Sequence, residues 1–300
     1  MGTTVLTQAQ IDAFNTTLVA NFNQGLAAGD ESWKKIAGLM PSSSAGNTYA
    51  WLSQFPQFRE WIGARQHKTV KERAYRVDNR KFENTLDVPR EDFEDNNLSM
   101  YSGIATGYGQ SVIDLKNDLV YGAVKAGFGS ICYDGQYFFD TDHPVYPNED
   151  GSGVAASVSN MQAGVLEPWA LLCTKRAPKA FYLQERMKAE FKANDALLFD
   201  NDIFSWGGRW RGDAAYGFWQ LAFGSKAELT EANFEAAFKA MMKFQGDGNR
   251  QLNIVADTLV VGPDNMAAAE KLIKAINKAG GESNTNYGKV ELIVSPLMAL

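Results

Sequence analysis

Over residues 98–126 apolar side chains recur at steps of three and four: Tyr101, Ile104, Tyr108, Val112, Leu115, Leu119, Ala123 and Ala126. That repeat keeps side chains on one face of a 3.6-residue turn, and Ser99, Gln110, Asp114 and Asn117 fill the opposite side. The spacing predicts one long helix, capped at its start by Asn96 or Asn97 and stopped by Gly127. At 1.5 Å per residue it would run for about 40 Å and serve as a spine. Gly103, Gly107 and Gly109 each weaken its first half by up to about 1 kcal/mol relative to alanine. They imply close backbone packing or a bend there, or else two shorter helices broken near Gly109.

The same periodicity predicts a helix over 8–28, with Thr7 as N-cap, Ile11, Phe14, Leu18, Phe22 and Leu26 on one face and Gly29 as its stop. Another is predicted over 231–244, capped by Thr230, lined by Phe234, Phe238, Met241 and Met242, and ended by Gly246. Alternating or continuous apolar runs predict strands at 169–173, 180–186, 202–210 and 216–223, a mostly antiparallel sheet broken at Pro178, Asn194-Asp195 and Gly212-Asp213. Asp134-Gly135 predicts a hairpin turn between 130–133 and 136–139, packed beside the spine. The stretch 146–164, rich in Gly, Ser, Asn and Pro, reads as a loop. A strand at 258–261, a helix over 263–278 and a strand at 290–294 form an α/β unit, which a right-handed crossover makes parallel.

Two stretches cannot bury themselves. In 33–63, Pro41, a serine run at 42–44 and Pro56 interrupt a dense set of aromatics, Trp33, Tyr49, Trp51, Phe55, Phe58 and Trp61. These rings must dock on the rest of the chain or on another copy of it, since Trp and Tyr are favoured interface anchors. Residues 64–97 are highly charged and poor in large apolar residues. Strand patterns at 74–77 and 82–88 around Asp78-Asn79 predict a protruding two-stranded hairpin. Its charge is segregated: Arg65, Lys68, Lys71, Arg73, Arg76, Arg80 and Lys81 come first, then Glu83, Asp87, Glu91, Asp92, Glu94 and Asp95. A solvated face explains any charge run, but this polarity also lets the basic part of one copy meet the acidic part of the next, and head-to-tail contacts of that kind build rings or shells.

With 300 residues, 45% hydrophobic and 12% aromatic, the chain can bury one large or two ordinary cores. A formal charge of -6 argues against a dedicated nucleic-acid binder. Cys132 and Cys173 lie in apolar runs without metal-like spacing and read as buried free thiols. No apolar run reaches the length of a membrane span, and the start MGTTVLTQAQ lacks the regions of a signal peptide.

Candidate chemistry is thin. The chain has two histidines, His67 and His143. Asp140, Asp142 and His143 could group round a divalent ion as a metal-assisted hydrolase, although His143 precedes Pro144 and so suits a turn. Gly262-Pro263-Asp264 lacks the dinucleotide pattern, 246–249 resembles a calcium loop only in composition, and no nucleophile elbow occurs. Assembly is the leading function; a hydrolase and a monomeric binding module are the alternatives.

Five stretches carry a resemblance: NTYAWLSQFPQFREWIG at 47–63, KFENTLDVPREDFEDNNLSMYS at 81–102, YDGQYFFDTDHPV at 133–145, YGFWQLAFGS at 216–225 and LVVGPDNMAAAEKLI at 259–273. In this order they resemble the major head protein of Mu-like bacteriophages and prophages. The resemblance implies an α+β chain with the HK97-like capsid fold: an N-terminal arm at 1–63, an extended E-loop hairpin at 64–97, a P domain with the spine helix and hairpin at 98–165, antiparallel P/A sheet at 166–225 and an α/β A domain at 226–300. It implies no enzyme activity and no cofactor. It further implies hexamers and pentamers of an icosahedral head around double-stranded DNA, formed in the bacterial host cytoplasm, with weak unspecific DNA contact and no membrane. Scaffold, protease, portal and decoration proteins would be separate partners, since the chain starts directly with the arm. Expected subunit-interface residues are Trp51, Phe55, Trp61, Arg73, Arg76, Arg80, Lys81, Glu91, Asp92 and Glu94. The apolar ending SPLMAL has no explanation at this level.

Overall fold

The computed structural model describes residues 7–49, 75–95, 97–194 and 202–300. Helix α1 (Gln8–Ala28) buries Phe14, Leu18 and Phe22 along the expected stripe, and its first turn is closed by the Gln10 side chain accepting the Thr7 amide at 2.9 Å. A short helix α2 (Trp33–Ile36) leads into strand β1 (Ala37–Pro41), followed by β2 (Gly46–Tyr49), β3 (Tyr75–Asp78), β4 (Arg80–Pro89) and a one-turn helix α3 (Arg90–Glu94). Then comes the spine, α4 (Ser99–Ala126), a single unbroken helix.

Which face of the spine is buried departs from expectation. Tyr101, Ala105, Gly109, Ile113, Asn117, Val120, Tyr121 and Val124 are fully covered, whereas Ile104 is 38% exposed and Val112, Leu115, Leu119 and Ala123 sit at the margin. Asn117, assigned to the polar side by periodicity, is buried because it supplies bonds that an apolar side chain cannot. Its Oδ1 accepts the Trp33 amide at 3.0 Å and its Nδ2 donates to the Asp30 carbonyl at 2.7 Å, which locks the α1–α2 connection onto the spine. Of the three glycines, only Gly109 makes the close approach; beside Gly103 and Gly107 a Cβ would meet open space. At Gly109 a Cβ would overlap the Phe22 carbonyl oxygen, and at Gly25 it would overlap that of Thr106, so α1 and α4 cross backbone to backbone.

Beyond the spine, Gly135 has φ +92°, the positive value expected of the Asp134-Gly135 turn. The hairpin there shrinks to one bridge, Ile131 to Tyr137. Strand β5 (His143–Val145) precedes the stretch expected to be a loop, and β6 (Ala156–Val158) and β7 (Met161–Gln162) lie within it. After β8 (Trp169–Leu172) come two long strands, β9 (Phe181–Asn194) and β10 (Ile203–Tyr216). Gly212-Asp213 does not turn the chain: β10 runs through it, its register shifting near Arg211. The last part holds β11 (Ala222–Ser225), the helix Glu231–Met242 with Thr230 capping the Asn233 amide, β12 (Gln245–Gly246), β13 (Arg250–Gln251), β14 (Thr258–Val261), the helix Met266–Ile273 and β15 (Glu291–Val294).

Two main sheets result. One has the order β1-β9-β10-β4, the other β15-β14-β8-β11-β7, with β14 and β15 parallel as the crossover rule requires. The expected pairing of 74–77 with 82–88 does not occur. Strand β3 pairs with β2, Tyr49 opposite Tyr75, while β4 pairs with β10 from Arg80–Gly212 to Pro89–Ile203. Asp78-Asn79 therefore carries the chain from one sheet to another. Non-local partners outcompete the local hairpin because β10 offers β4 ten paired positions.

The C-terminal segment is explained as well. Ser295 caps a turn over 296–298, Met298 is fully buried, and Lys125 near the end of the spine donates to the Ala299 carbonyl at 2.9 Å. Cys132 and Cys173 are both buried free thiols. Among the described residues no helix is long and apolar enough to cross a membrane.

Candidate functional site

The charged residues singled out for assembly fall on β3, β4 and α3, and Trp51, Phe55, Trp61 and Arg73 lie outside the described residues. Arg76 is exposed and pairs with Asp78 at 2.8 Å. Arg80 lies over the Phe82 ring at 4.9 Å and 3.9 Å from Asp213, and Lys81 beside it faces solvent. The acidic group stands at the other end of β4: Glu91 and Glu94 are exposed on α3, Glu94 held by Arg90 at 3.1 Å. A strand of this length spans about 30 Å, so the segregation seen along the chain becomes two opposite poles in space. Asp92 departs from the group. It accepts the Tyr101 hydroxyl and, at 3.3 Å, the Asn97 amide, fastening α3 to the spine from within.

The β2–β3 stem is rooted in Gln184, a residue that stands in no motif. Gln184 of β9 is fully buried, donates to the Val77 carbonyl at 3.1 Å and to Asn79 Oδ1 at 2.8 Å, and accepts the Tyr49 hydroxyl. Every polar atom of that amide is satisfied, as burial demands. Asn79 in turn donates to Ser42 Oγ at 2.8 Å and to the Ser44 carbonyl at 2.9 Å. Burial pushes the Tyr49 hydroxyl above its ordinary range, which keeps it a donor.

A second anchor joins the spine to the long strands. Lys116 meets Glu185 Oε1 at 2.8 Å, with side chains only 13% and 11% exposed, and Trp210 Nε1 donates to the same oxygen at 2.8 Å. Burial by itself raises the Glu185 carboxyl, but the bonds from Lys116 and Trp210 and the lysine's charge outweigh it and hold the group below the usual carboxylate range.

The metal-hydrolase constellation is not assembled. His143 is fully buried, stacked on Trp219 with ring centres 4.1 Å apart, and turned to Asp134 at 2.7 Å rather than to Asp140 or Asp142. Asp140 accepts the amides of Tyr137 and Thr141 as a turn cap, and Asp142 accepts from Gln136 at 3.4 Å on the surface. His143, expected to suit a turn before Pro144, instead opens strand β5 opposite Val158. Burial and the neighbouring Asp134 push the Cys132 thiol well up, so it is no nucleophile.

A long spine helix laid across an extended sheet, with a compact α/β unit beside it, defines the class: capsid subunits of the HK97-like fold. The procapsid of bacteriophage JBD30 superposes with a TM-score of 0.86 at 39% identity, covering 97% of this chain and 100% of that one. The capsid of the same phage gives 0.75 at 31% identity, covering 98% and 99%. The family model described as Mu-like prophage major head subunit gpT matches residues 11–298. The major capsid protein of Escherichia phage Mu is 38% identical over 304 residues, covering 97% of this chain and 99% of the relative. The Mu-like prophage FluMu major head subunit of Haemophilus influenzae is 40% identical over 263 residues, covering 85% of each. The chain belongs to the family of Mu-like major head subunits and is a phage major capsid protein. The hydrolase reading has no support.

Proposed function

We propose that copies of this chain tile hexamers and pentamers of an icosahedral head around double-stranded DNA, assembled in the bacterial host cytoplasm, and that the chain has no catalytic role. The observation that carries this reading is the pair of opposite charge poles on β4 and α3, joined to a stem whose continuation at 50–74 holds Trp51, Phe55 and Trp61. In this reading the basic pole, Arg73, Arg76, Arg80 and Lys81, meets Glu91 and Glu94 of a neighbour, and the aromatics anchor the contact. Asp92 supports the acidic pole by holding α3. The arm, E-loop, P and A division belongs to the same reading, with β2 in the arm at 1–63 paired to β3 in the E-loop at 64–97.

Scaffold, protease and portal act as separate proteins. A related JBD30 capsid carries minor capsid protein trimers, and a comparable decoration partner fits here. DNA contact is weak and unspecific because the chain is acidic overall. Electron microscopy of the purified protein tests the proposal: capsomers, tubes or shells are expected, and a strictly monomeric species at high concentration overturns it.

A further inference from the structure

Beside the end of the spine, the turn after Ile131 presses Cys132 and Asp134 against His143. The sulfur, a carboxylate oxygen and a ring nitrogen all lie within 4.8 Å of one another, and the side chains of His143 and Asp134 are 0% and 8% exposed.

Donor and acceptor accounting shows what belongs between them. Asn160 aims its Nδ2 at the carbonyl oxygens of Phe138, at 2.8 Å, and of Trp219 and Ala222, each at 3.4 Å. Its Oδ1 therefore faces the other way and accepts the Asp140 amide at 2.9 Å. Reversing the amide would set an oxygen against carbonyls and an NH2 against an N–H. His143 Nε2 lies 3.2 Å from that same Oδ1 and so carries a hydrogen. In a neutral ring the lone pair then falls on Nδ1, which points at Asp134 Oδ2 from 2.7 Å. The other oxygen of Asp134 takes the Gln136 amide and faces the Cys132 sulfur, both at 3.1 Å. A lone pair on Nδ1 facing a carboxylate oxygen needs a cation between them, a proton or a metal ion, and the Cys132 sulfur lies within reach of both groups.

We propose that Cys132 Sγ, the Asp134 carboxylate and His143 Nδ1 form a binding site for a divalent ion of the zinc class. Imidazole, thiolate and carboxylate are the donors such an ion takes, at about 2.0 to 2.3 Å. The donors need to part by roughly half an ångström from their present hydrogen-bonded spacing to admit it at those bond lengths. One thiolate and one carboxylate cancel the two charges of the ion, which makes its burial affordable. Binding releases the Cys132 proton. Asn160 plays the outer partner that fixes the tautomer of a ligating histidine, and Trp219 holds the plane of the ring. The ion ties the turn after the spine to β5, and with three protein donors its fourth tetrahedral position is taken by a water.

The test uses the full chain expressed with zinc and desalted. Elemental analysis is expected to find one zinc per chain, and Co2+ added to metal-free protein is expected to show thiolate-to-metal charge-transfer absorption. Both signals should vanish in Cys132→Ser and His143→Gln and persist in Cys173→Ser. Should the first two variants fail to fold, the Co2+ spectrum of the parent chain decides alone. Absence of zinc and of sulfur ligation in the parent overturns the proposal and leaves a proton on Nδ1 as the cation; zinc retained by Cys132→Ser overturns it equally.

Discussion

The five-stranded sheet and the extended sheet are built for different ends. Strands β8, β11 and β14 are buried at every residue, enclosed by the spine and the two C-terminal helices within one large core. Strand β4, and β9 beyond its four buried leading residues, alternate half-buried or buried positions with exposed ones. Their far ends share a separate small cluster with α1 and the start of the spine: Phe14, Leu18, Phe22, Leu86, Val88, Phe93, Tyr101, Ala105, Phe191, Phe204 and Trp206. Edge-on ring contacts centre on Phe14, set at 5.0 Å from Phe93 and 5.4 Å from Trp206, while Phe22 stacks on Phe191 at 5.1 Å. The first region satisfies itself. The second is thin, half covered and charged at its ends, which is what a surface completed by neighbouring subunits requires.

The largest effect should come from the join between the two regions. Lys116→Met leaves Glu185 buried without its cation, and loss of one partner of such a pair costs about 3 kcal/mol or more. Thermal melting should show this, and an unchanged midpoint would mean that the two regions are not coupled through it. The pH dependence has a definite sign. Because the folded Glu185 carboxyl titrates below its unfolded value, its contribution is present above the ordinary glutamate range and disappears as pH falls through the lowered folded value. Acid melting curves of the parent and Glu185→Gln should therefore converge at low pH.

Next in size is the helix crossing. Gly25→Val or Gly109→Val drives a side chain into backbone and should cost about 1 to 3 kcal/mol. Hydrogen exchange is expected to speed up in α1 and the first half of α4 and to stay unchanged in β8 and β14. Uniform acceleration would dissolve the distinction between the two cores. Asp92→Ala follows, at about 1 kcal/mol, because it unties α3 from Tyr101 and Asn97.

Much of this organisation was readable from local pattern. The helices predicted over 8–28, 98–126 and 231–244 form through their periodicity, and the β14–helix–β15 unit through its order of elements; Thr230 caps as expected, whereas the spine starts after Leu98 without a side-chain cap, Gly127 keeps φ -58°, and the third helix ends at Met242, short of Gly246. What local pattern misses is set by distant partners. Asn117 looks solvent-facing until the α1–α2 connection, more than eighty residues earlier, supplies its bonds. Asp78-Asn79 is a real change of direction, but β2 and β10 decide which strands pair. Asp213 sits in a turn-like pair and is absorbed into a bulged strand. Gln184, the root of the stem, lies in a strand and carries no motif. His143 is visible in sequence as a candidate ligand, yet its neighbours in space, Cys132 and Asp134, carry only the signals of a buried thiol and a turn residue.

The smallest expected effect on folding is also the most telling. Arg76→Glu and Arg80→Glu change exposed charges at one pole, where each is worth about 0 to 1 kcal/mol to the subunit, and Arg73→Glu removes the third arginine of the same stretch of sequence. The melting midpoint should stay close to the parent's while light scattering shows shell assembly abolished or strongly reduced. Adding Glu91→Lys and Glu94→Lys on the same chain, with Asp92 left intact for its internal bonds, should partly restore assembly if the two poles meet across the contact. The direct measurement is assembly yield of the triple Arg→Glu variant from low to moderate salt: the account predicts loss of shells by a folded subunit, and shells formed as readily as by the parent would contradict it.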